Sequence, residues 1–419
     1  MTLPARTEEE QRAIGRLMLF FAIVFTVEGI GQARAGIILQ PLTFFLKSNN
    51  WTPLQVTAYF AVLNFPWIIK PVFGLVSDFL PLFGYRRASY LIIASLLAAL
   101  SYAGIAVLDD PAEFALLLIL TSYAMATAST LCGALLAENG QSFDRSSLFV
   151  GQQWLWFNVA IMGSALIGGE LVENFSAATA LKASAVIAAV APIAIVLATP
   201  LLLKEPRRAI SRHEFRETLS GLFAAVKSRR LYLVALFLFL YAFAPGFGTP
   251  LYYYMTDTLN FSQAYIGVLG SIAAAGWIAG GLLHRWLLRR LTPGALLYLS
   301  IVLGTASAAS FLLLRGEVSA AIVNFGFGAA SMIATIASLT LAARYCPSRA
   351  EGFAFAGLMS ISNLADIFST NVGAFLYEHV FDSRLAPLIV VSAASTAIAL
   401  VLVPFMRADG QEGDNRLYG

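Results

Sequence analysis

Long blocks of apolar residues follow one another along the chain and are separated by short polar stretches. A helix needs about 20 mostly apolar residues to cross the hydrocarbon core of a bilayer. Twelve blocks reach this length, and they cover residues 17–46, 54–77, 88–108, 113–136, 148–172, 180–203, 231–256, 264–288, 293–314, 318–343, 352–377 and 385–406. The pattern predicts an all-α membrane protein with twelve transmembrane helices.

Capping motifs mark the starts of several of these helices. An N-cap side chain with an acid or amide three residues later satisfies backbone N–H groups at a helix start, and proline is favoured in the first turn. The motifs are Thr52-Pro53-x-Gln55, Asp110-Pro111-x-Glu113, Thr292-Pro293 and Ser348-x-x-Glu351. They predict one end of helices two, four, nine and eleven independently of hydropathy.

One long polar connection separates the first six apolar blocks from the last six. The predicted parts are a cytoplasmic N-terminus, a six-helix half, a basic cytoplasmic linker, a second six-helix half and a cytoplasmic tail, at 1–16, 17–203, 204–230, 231–407 and 408–419. Two joined six-helix halves are the layout of the major facilitator superfamily. The linker is either a solvated connection or, over 212–230, a helix on the anionic inner leaflet.

Composition and the placement of charge support the membrane assignment. Of the 419 residues, 58% are hydrophobic and 12% are charged, which is too apolar for a soluble globular protein. Most of the 27 Lys and Arg residues fall in the N-terminus, the linker, the tail and every second connection. The positive-inside rule then places both termini in the cytoplasm, so we expect a multi-pass integral protein of the inner or plasma membrane.

Polar and charged side chains inside three predicted helices mark a candidate binding site. They are Glu28, Gln32 and Arg34 in helix one, Lys70 in helix two, and Asn363 and Asp366 in helix eleven. A charge at the centre of a spanning helix costs at least about 2.5 kcal/mol, so such residues usually face a cavity or a partner. On a regular helix Arg34 points away from Glu28, and no direct pair between them is expected. Two interpretations stay open: these residues handle substrate or an ion, or they form buried pairs that stabilise the bundle.

Further polar and aromatic side chains are predicted to line the cavity. They are Tyr123 in helix four, Gln153, Trp156 and Asn158 in helix five, and Asn324 in helix ten. Helix seven is interrupted at 245–250 by the sequence Pro245-Gly246-x-Gly248-x-Pro250, and broken helices typically serve binding or gating in transporters. The tyrosines that follow at 252–254 suit a planar heterocycle but also fit an interfacial belt. Trp156 equally fits packing against lipid or a neighbouring helix.

The connection between helices two and three predicts a cytoplasmic hinge. An aspartate, a glycine and two arginines follow predicted helix two, which is apolar but contains Lys70. The predicted gating residues are Gly74, Asp78, Gly84, Arg86, Arg87 and, at the start of helix eleven, Glu351. We expect these residues to hold helix two against helix eleven in one access state.

Three stretches of the chain resemble the folate-biopterin transporter family, which belongs to the major facilitator superfamily. They are PWIIKPVFGLVSDFLPLFGYRRASYLII at 66–93, Gln32-Ala33-Arg34 with the Thr52 capping motif, and Cys346-Pro347 through Asn363. Lys70-Pro71 before the glycine and the extra Pro81 distinguish the first stretch from the general superfamily turn. The resemblance implies alternating-access transport of pteridines such as folates or biopterin, with S-adenosylmethionine a substrate class of some members.

The resemblance also assigns motif positions and shows one departure. Arg34, Lys70, Asp78, Arg86, Arg87 and Asn363 are motif positions, and Glu138 matches a cytoplasmic glutamate that joins the gating residues. Before that glutamate the family usually has acids, where this chain has Ser129, Leu131, Cys132 and Gly133. Glu28 and Asp366 are the alternative acids for the amino and ring N–H donors of a pterin.

The expected function follows from these residues. The chain has no zinc spacing, phosphate loop or nucleophile elbow, so we expect no enzyme, cofactor, metal or nucleic-acid partner. We expect a monomeric secondary transporter in which Arg34 and Lys70 attract the carboxylate of a small pteridine-like solute, and Glu28 or Asp366 binds a coupling proton. Two alternatives stay open: transport or export of another solute, of amino-acid, nucleoside or S-adenosylmethionine type, and a non-transporting role in membrane assembly.

Overall fold

The computed structural model describes residues 8–207, 229–287, 291–345 and 351–408, which are nearly all helical and contain no β-strand. The helices are α1 Glu8–Gly31, α2 Leu39–Ser48, α3 Pro53–Asn64, α4 Lys70–Phe79, α5 Ala88–Ile105, α6 Pro111–Ser142, α7 Ser146–Asn174, α8 Ala177–Leu202, α9 Arg229–Ala242, α10 Gly248–Asp257, α11 Gln263–Leu287, α12 Pro293–Ser310, α13 Glu317–Tyr345, α14 Glu351–Phe375 and α15 Leu385–Ala408. All twelve predicted segments are thus helical.

Contacts divide the chain into two units. Unit 1 is Met1–Asn50 with Val62–Arg216, and unit 2 is Trp51–Ala61 with Glu217–Gly419. The predicted boundaries of the two halves stay predictions. Residues 1–7 of the predicted N-terminus, nearly all of the predicted tail and most of the linker, with its candidate surface helix at 212–230, lie outside the described residues.

Nine stretches of the described chain are long and apolar enough to cross a membrane. They begin at Glu8, Pro53, Ala88, Pro111, Leu148, Ala177, Gln263, Gly294 and Glu317. The other three predicted segments are also helical: 231–256 is divided between α9 and α10, 352–377 lies in α14 and the π-helical turn Leu376–Val380 that follows it, and 385–406 lies in α15. The described structure is therefore an all-α membrane fold.

Side-chain caps fix three of the predicted helix starts. The Gln55 carboxamide accepts from the Thr52 N–H at 2.9 Å, and the Thr52 hydroxyl accepts from the Gln55 N–H at 3.3 Å. Asp110 accepts from the Ala112 N–H at 2.7 Å, and Thr292 accepts from the Ala295 N–H at 3.3 Å. These predictions are confirmed, while the motif at Ser348 lies outside the described residues.

The predicted first helix is divided into α1 and α2, which differs from a single span over 17–46. The chain leaves the helix after Gly31, and the Ile37 N–H turns back to donate to the Ile30 carbonyl at 3.0 Å. A side chain on Gly36 would overlap that same carbonyl oxygen. This turn therefore requires glycine at position 36, and it displaces Arg34 from the regular helical path.

Two more predicted helices are interrupted. A short 3₁₀ turn, Phe65–Trp67, separates α3 from α4; it contains Pro66, which lacks an N–H to continue the α-helical bonding. The predicted break in helix seven is confirmed, since α9 ends at Ala242 and α10 begins at Gly248. The Gly246 N–H, freed by this break, donates to the Ser369 carbonyl of α14 at 2.9 Å.

Unit 1 is built around α1. One face of this helix packs against α7 and α8, and its aromatic side chains Phe20, Phe21 and Phe25 are fully buried. The Phe21 ring meets the Phe149 ring of α7 edge to face, with centroids 5.2 Å apart. The close packing of these aromatic rings holds the C-terminal end of α1, which carries Glu28, in a fixed position.

Unit 2 contains a pair of helices in backbone contact. Gly276 and Gly280 of α11 face the carbonyl oxygens of Phe325 and Ala329 in α13, and Gly328 of α13 faces the carbonyl of Ala273. A side chain at any of the three glycines would overlap the opposite backbone. Small residues of this kind allow membrane helices to pack closely.

Candidate functional site

Four polar side chains from α1, the turn after it and α4 form one group, together with Ser129 of α6. We call Glu28, Gln32, Arg34, Lys70 and Ser129 the polar cluster. The Gln32 amide donates to Glu28 Oε1 at 2.9 Å, and Arg34 Nε donates to Gln32 Oε1 at 3.2 Å. Lys70 Nζ donates to the Ser129 hydroxyl at 3.0 Å. Four residues predicted to bind substrate or an ion therefore lie together in unit 1.

The break after α1 is what places Arg34 in this group. Glu28 and Gln32 share a face, as predicted, while the chain turns sharply between Gly31 and Ile37. Arg34 thus reaches Glu28 through the Gln32 carboxamide instead of pairing directly along a helix. The amide uses its donor for the carboxylate and its acceptor for the guanidinium, so it connects the two opposite charges.

Trp67 is a residue of this site that the sequence did not single out. Its side chain is 3% exposed. The Arg34 guanidinium carbon lies 4.7 Å, and Lys70 Nζ 4.4 Å, from the centroid of its indole. Tryptophan is the best of the aromatic side chains at attracting a cation to its ring face. A tryptophan three residues before an intramembrane lysine, next to Pro66, is a signal that could have found it.

The Glu28 carboxylate is buried beside two positive charges. Its residue is 7% exposed, and Lys70 and Arg34 both interact with it electrostatically. Lys70 and Ser129 lie near this carboxylate, yet its buried Oε2 makes no hydrogen bond within the described residues. The polar cluster thus offers two cations and one carboxylate oxygen that still has acceptor capacity.

The other predicted lining residues of unit 1 have local partners. Tyr123 is half-buried and meets the Phe73 ring edge to face at 5.9 Å. Asn158 is buried, and its amide donates to the Trp154 carbonyl at 2.8 Å. Trp156 is 36% exposed and donates to Gln152 at 2.6 Å, while Gln153 is half-buried. Their roles in binding stay predictions.

Three predicted lining residues belong to unit 2. Asn324 of α13 is half-buried and donates to the Ala320 carbonyl at 2.8 Å. Asn363 is half-buried on α14, and Asp366, three residues later, has an exposed side chain. The Asp366 carbonyl accepts a hydrogen bond from Thr370. Their part in substrate or proton binding also stays a prediction.

Four predicted gating residues meet at the turn between α4 and α5. We call Asp78, Arg86, Arg87 and Glu138 the turn cluster. Arg87 Nη2 lies 2.8 Å from Asp78 Oδ1 and 3.0 Å from Glu138 Oε1. Arg86 lies farther from the same two carboxylates, at 3.7 and 4.0 Å. Buried and bonded to two acids, Arg87 ties α4, α5 and α6 together at this end of unit 1.

The remaining gating predictions are placed as follows. Gly84 has a φ of +86°, which favours glycine, and it forms the tight turn before Arg86 and Arg87. Gly74 is half-buried, and a side chain there would meet Thr130 of α6 at an ordinary contact distance of 3.6 Å. The Glu351 side chain lies outside the described residues.

Glu205 is a second residue that the sequence did not single out. Its carboxylate accepts from the backbone N–H groups of Arg86, Arg87 and Ala88 at 2.9 to 3.1 Å. These are the free donors at the start of α5, where a negative charge is stabilised by the helix dipole. Glu205 thus binds the start of the predicted linker to the α4–α5 turn, so the linker is not purely solvated there.

Sequence comparisons assign the chain to a known family. A family model described as the BT1 family matches residues 31–414. The chain is 28% identical over 412 residues to the folate-biopterin transporter of Synechocystis sp., covering 93% of this chain and 81% of the relative. It is 24% identical over 423 residues to folate transporter 2 of Plasmodium falciparum, covering 96% and 91%.

Solved structures share the fold. A D-xylose-proton symporter aligns with a TM-score of 0.73 at 14% identity, over 94% of this chain and 97% of that one. The nucleoside transporter NupG aligns with a TM-score of 0.67 at 14% identity, over 94% and 98%. The fold is that of the major facilitator superfamily. The resemblance found in the sequence is confirmed: the chain belongs to the BT1 family and is a multi-pass secondary transporter of a small solute.

Proposed function

We propose that this transporter carries a pteridine-like solute of the folate or biopterin type by alternating access, in symport with protons. The observation that carries the proposal is the polar cluster, in which Arg34 and Lys70 lie beside the Glu28 carboxylate within unit 1. The names of the Synechocystis and Plasmodium relatives support the substrate class.

The chemistry of the polar cluster suits both parts of such a solute. A folate-type solute places a carboxylate between the Arg34 guanidinium and the Lys70 ammonium, because charge-assisted hydrogen bonds are stronger than neutral ones. A biopterin-type solute, which has no carboxylate, binds through its pterin ring. The unpartnered Oε2 of Glu28 accepts from the amino and ring N–H groups of the pterin. In this arrangement the Trp67 ring positions the two cations, since both already lie against it.

The same carboxylate is the proposed proton-binding group. Glu28 is buried, and its charge is balanced by Lys70 and Arg34. A solute carboxylate that occupies these two cations weakens their hold on Glu28 and favours its protonation. Proton binding and solute binding are then linked, which is the requirement for symport.

The substrate is tested by uptake into proteoliposomes that contain the purified protein. We expect labelled folate or biopterin to accumulate when the outside is acidic, and Lys70→Gln to abolish this accumulation. Lys182→Gln is the matched control, because Lys182 pairs with Asp109 away from the polar cluster. Uptake of nucleosides or amino acids but of no pteridine would overturn the substrate class.

We further propose a monomer in the plasma or inner membrane with both termini in the cytoplasm, supported by the distribution of Lys and Arg. Single cysteines at Glu8 and Asp109, in a chain without its two native cysteines, test the orientation. An impermeant maleimide added to intact cells is expected to label position 109 and not position 8. The reverse labelling would contradict the orientation.

A further inference from the structure

A cavity of about 370 Å³ lies in unit 1 beside the turn cluster and apart from the polar cluster. Its walls come from α1, the α4–α5 turn, the end of α6 and the residues after α8. Three cations line it, Arg16, Arg86 and Lys204, together with the carboxylates of Glu138 and Glu205. The charge balance of the cavity depends on which of these five groups already have partners.

Both carboxylates are engaged. Glu205 accepts from three backbone N–H groups at the start of α5. Glu138 accepts from Arg87 at 3.0 Å. Glu205 is therefore satisfied without the cations of the cavity, whereas Glu138 shares Arg87 with Asp78 and has Arg86 as a more distant second partner at 4.0 Å.

The cations retain capacity to bind an anion. Within the described chain, Arg16 and Lys204 make no side-chain hydrogen bond or ion pair. Arg86 approaches its two carboxylates only to 3.7 and 4.0 Å, and its buried Nε has no hydrogen-bond partner there. Three positive groups from separate parts of the chain thus converge on one cavity without a full complement of acceptors.

The remaining wall is partly apolar, and Asn139 and Ser142 add polar groups to it. Leu17 of α1, Leu135 of α6 and Leu202 of α8 line the cavity beside the cations. All three belong to helices long and apolar enough to span the membrane. A ligand here is bound by cations on one side and by hydrocarbon on the other, which is the surrounding of an amphiphile at the membrane surface.

We propose that this cavity binds a phosphate group, the head of an anionic phospholipid. The phosphate oxygens take the donors of Arg16, Arg86 and Lys204, for which the guanidinium geometry is well suited. The acyl side of the lipid lies against the leucines. A bound head group joins α1 and the segment after α8 to the α4–α5 turn, and it stabilises this end of unit 1.

The test uses the purified full-length protein in a neutral detergent, and thermal unfolding as the readout. Short-chain phosphatidylglycerol is titrated against the protein, with short-chain phosphatidylcholine and inorganic phosphate as separate arms. We expect phosphatidylglycerol to raise the Tm in a saturable way and phosphatidylcholine to leave it unchanged. The double variant Arg16→Gln, Lys204→Gln is expected to weaken the apparent affinity at least about tenfold, since each basic group near an anionic lipid contributes about 1 kcal/mol.

A matched control separates the site from general charge. Arg12→Gln removes a cation from the same helix, but Arg12 is exposed and already paired with Glu8 at 3.3 Å, so it should leave the affinity unchanged. Arg16→Lys with Lys204→Arg keeps both charges and should retain binding, which guards against a folding defect. Saturable stabilisation by inorganic phosphate alone would assign the site to a free phosphate compound. Equal affinities of the Arg16/Lys204 double variant and the Arg12 control would overturn the proposal.

Discussion

Lys70 Nζ lies 4.4 Å from the centroid of the indole ring of Trp67, which is three residues earlier in the chain. The same ring holds the Arg34 guanidinium at 4.7 Å. One buried aromatic side chain therefore contacts both cations of the polar cluster. We expect the spacing of the two charges to depend on this neutral residue.

Trp67→Phe is expected to raise the KM for solute uptake about three- to tenfold, because phenylalanine attracts a cation less strongly than tryptophan. The phenyl ring still fills most of the buried space, so the protein should fold. Initial uptake rates in proteoliposomes measure the effect. Trp286→Phe, at an exposed position of α11, is the control, and a wild-type KM for Trp67→Phe would contradict the positioning role.

Glu28→Gln is expected to abolish proton-driven accumulation while solute exchange between the two sides continues. The amide keeps the shape and the contact to Gln32 but binds no proton. Accumulation under an imposed pH gradient and counterflow without a gradient are the two measurements. The exposed Glu170 of α7 provides the control variant Glu170→Gln. Accumulation by Glu28→Gln at the wild-type level would refute its coupling role.

Asp78→Asn is expected to bind solute but to lose most of its turnover. Asp78 holds Arg87 at 2.8 Å, and the loss of this ion pair loosens the turn proposed to gate one access state. Binding is measured by thermal shift and turnover by counterflow. The exposed Asp109 gives the control Asp109→Asn. Full turnover of Asp78→Asn would show that the turn cluster is not a gate.

Glu205→Gln is expected to lower the Tm by about 1 °C, because substitution of a helix cap typically costs about 1 kcal/mol and the Tm shift per kcal/mol is small for a chain of this length. The neutral amide accepts fewer of the three N–H groups at the start of α5 and lacks the favourable charge. Glu113→Gln is a close control, since Glu113 is an exposed acid in the first turn of α6. Equal Tm values for the two variants would mean that Glu205 is not a structural cap.

Hydropathy and capping residues predicted the helices well because both act locally. The Thr52 and Asp110 caps need only three or four neighbouring residues, and they occur as predicted. The turn cluster also follows from its sequence, since Asp78 and Arg87 are brought together by one short turn that Gly84 permits. Local patterns therefore suffice for most of the fold and for one end of unit 1.

The parts that were missed depend on contacts between distant segments. Glu205 caps α5 from the far end of α8, and nothing near it in the chain indicates this partner. Trp67 is close to Lys70 in the chain, but only the folded structure places Arg34 on its ring. Arg34 in turn is placed by the end of α1 at Gly31, whereas hydropathy alone continued the helix to residue 46. Tertiary packing, and not propensity, decides these three cases.

The backbone contact between α11 and α13 bears on how the protein is assembled. Gly276 and Gly328 belong to helices that are separated in the chain by α12. During synthesis α11 therefore enters the bilayer before its partner exists, with a strip of bare backbone facing lipid or the insertion machinery. Only after α13 has followed can this strip be covered, so the packing of α11 depends on a later step of insertion.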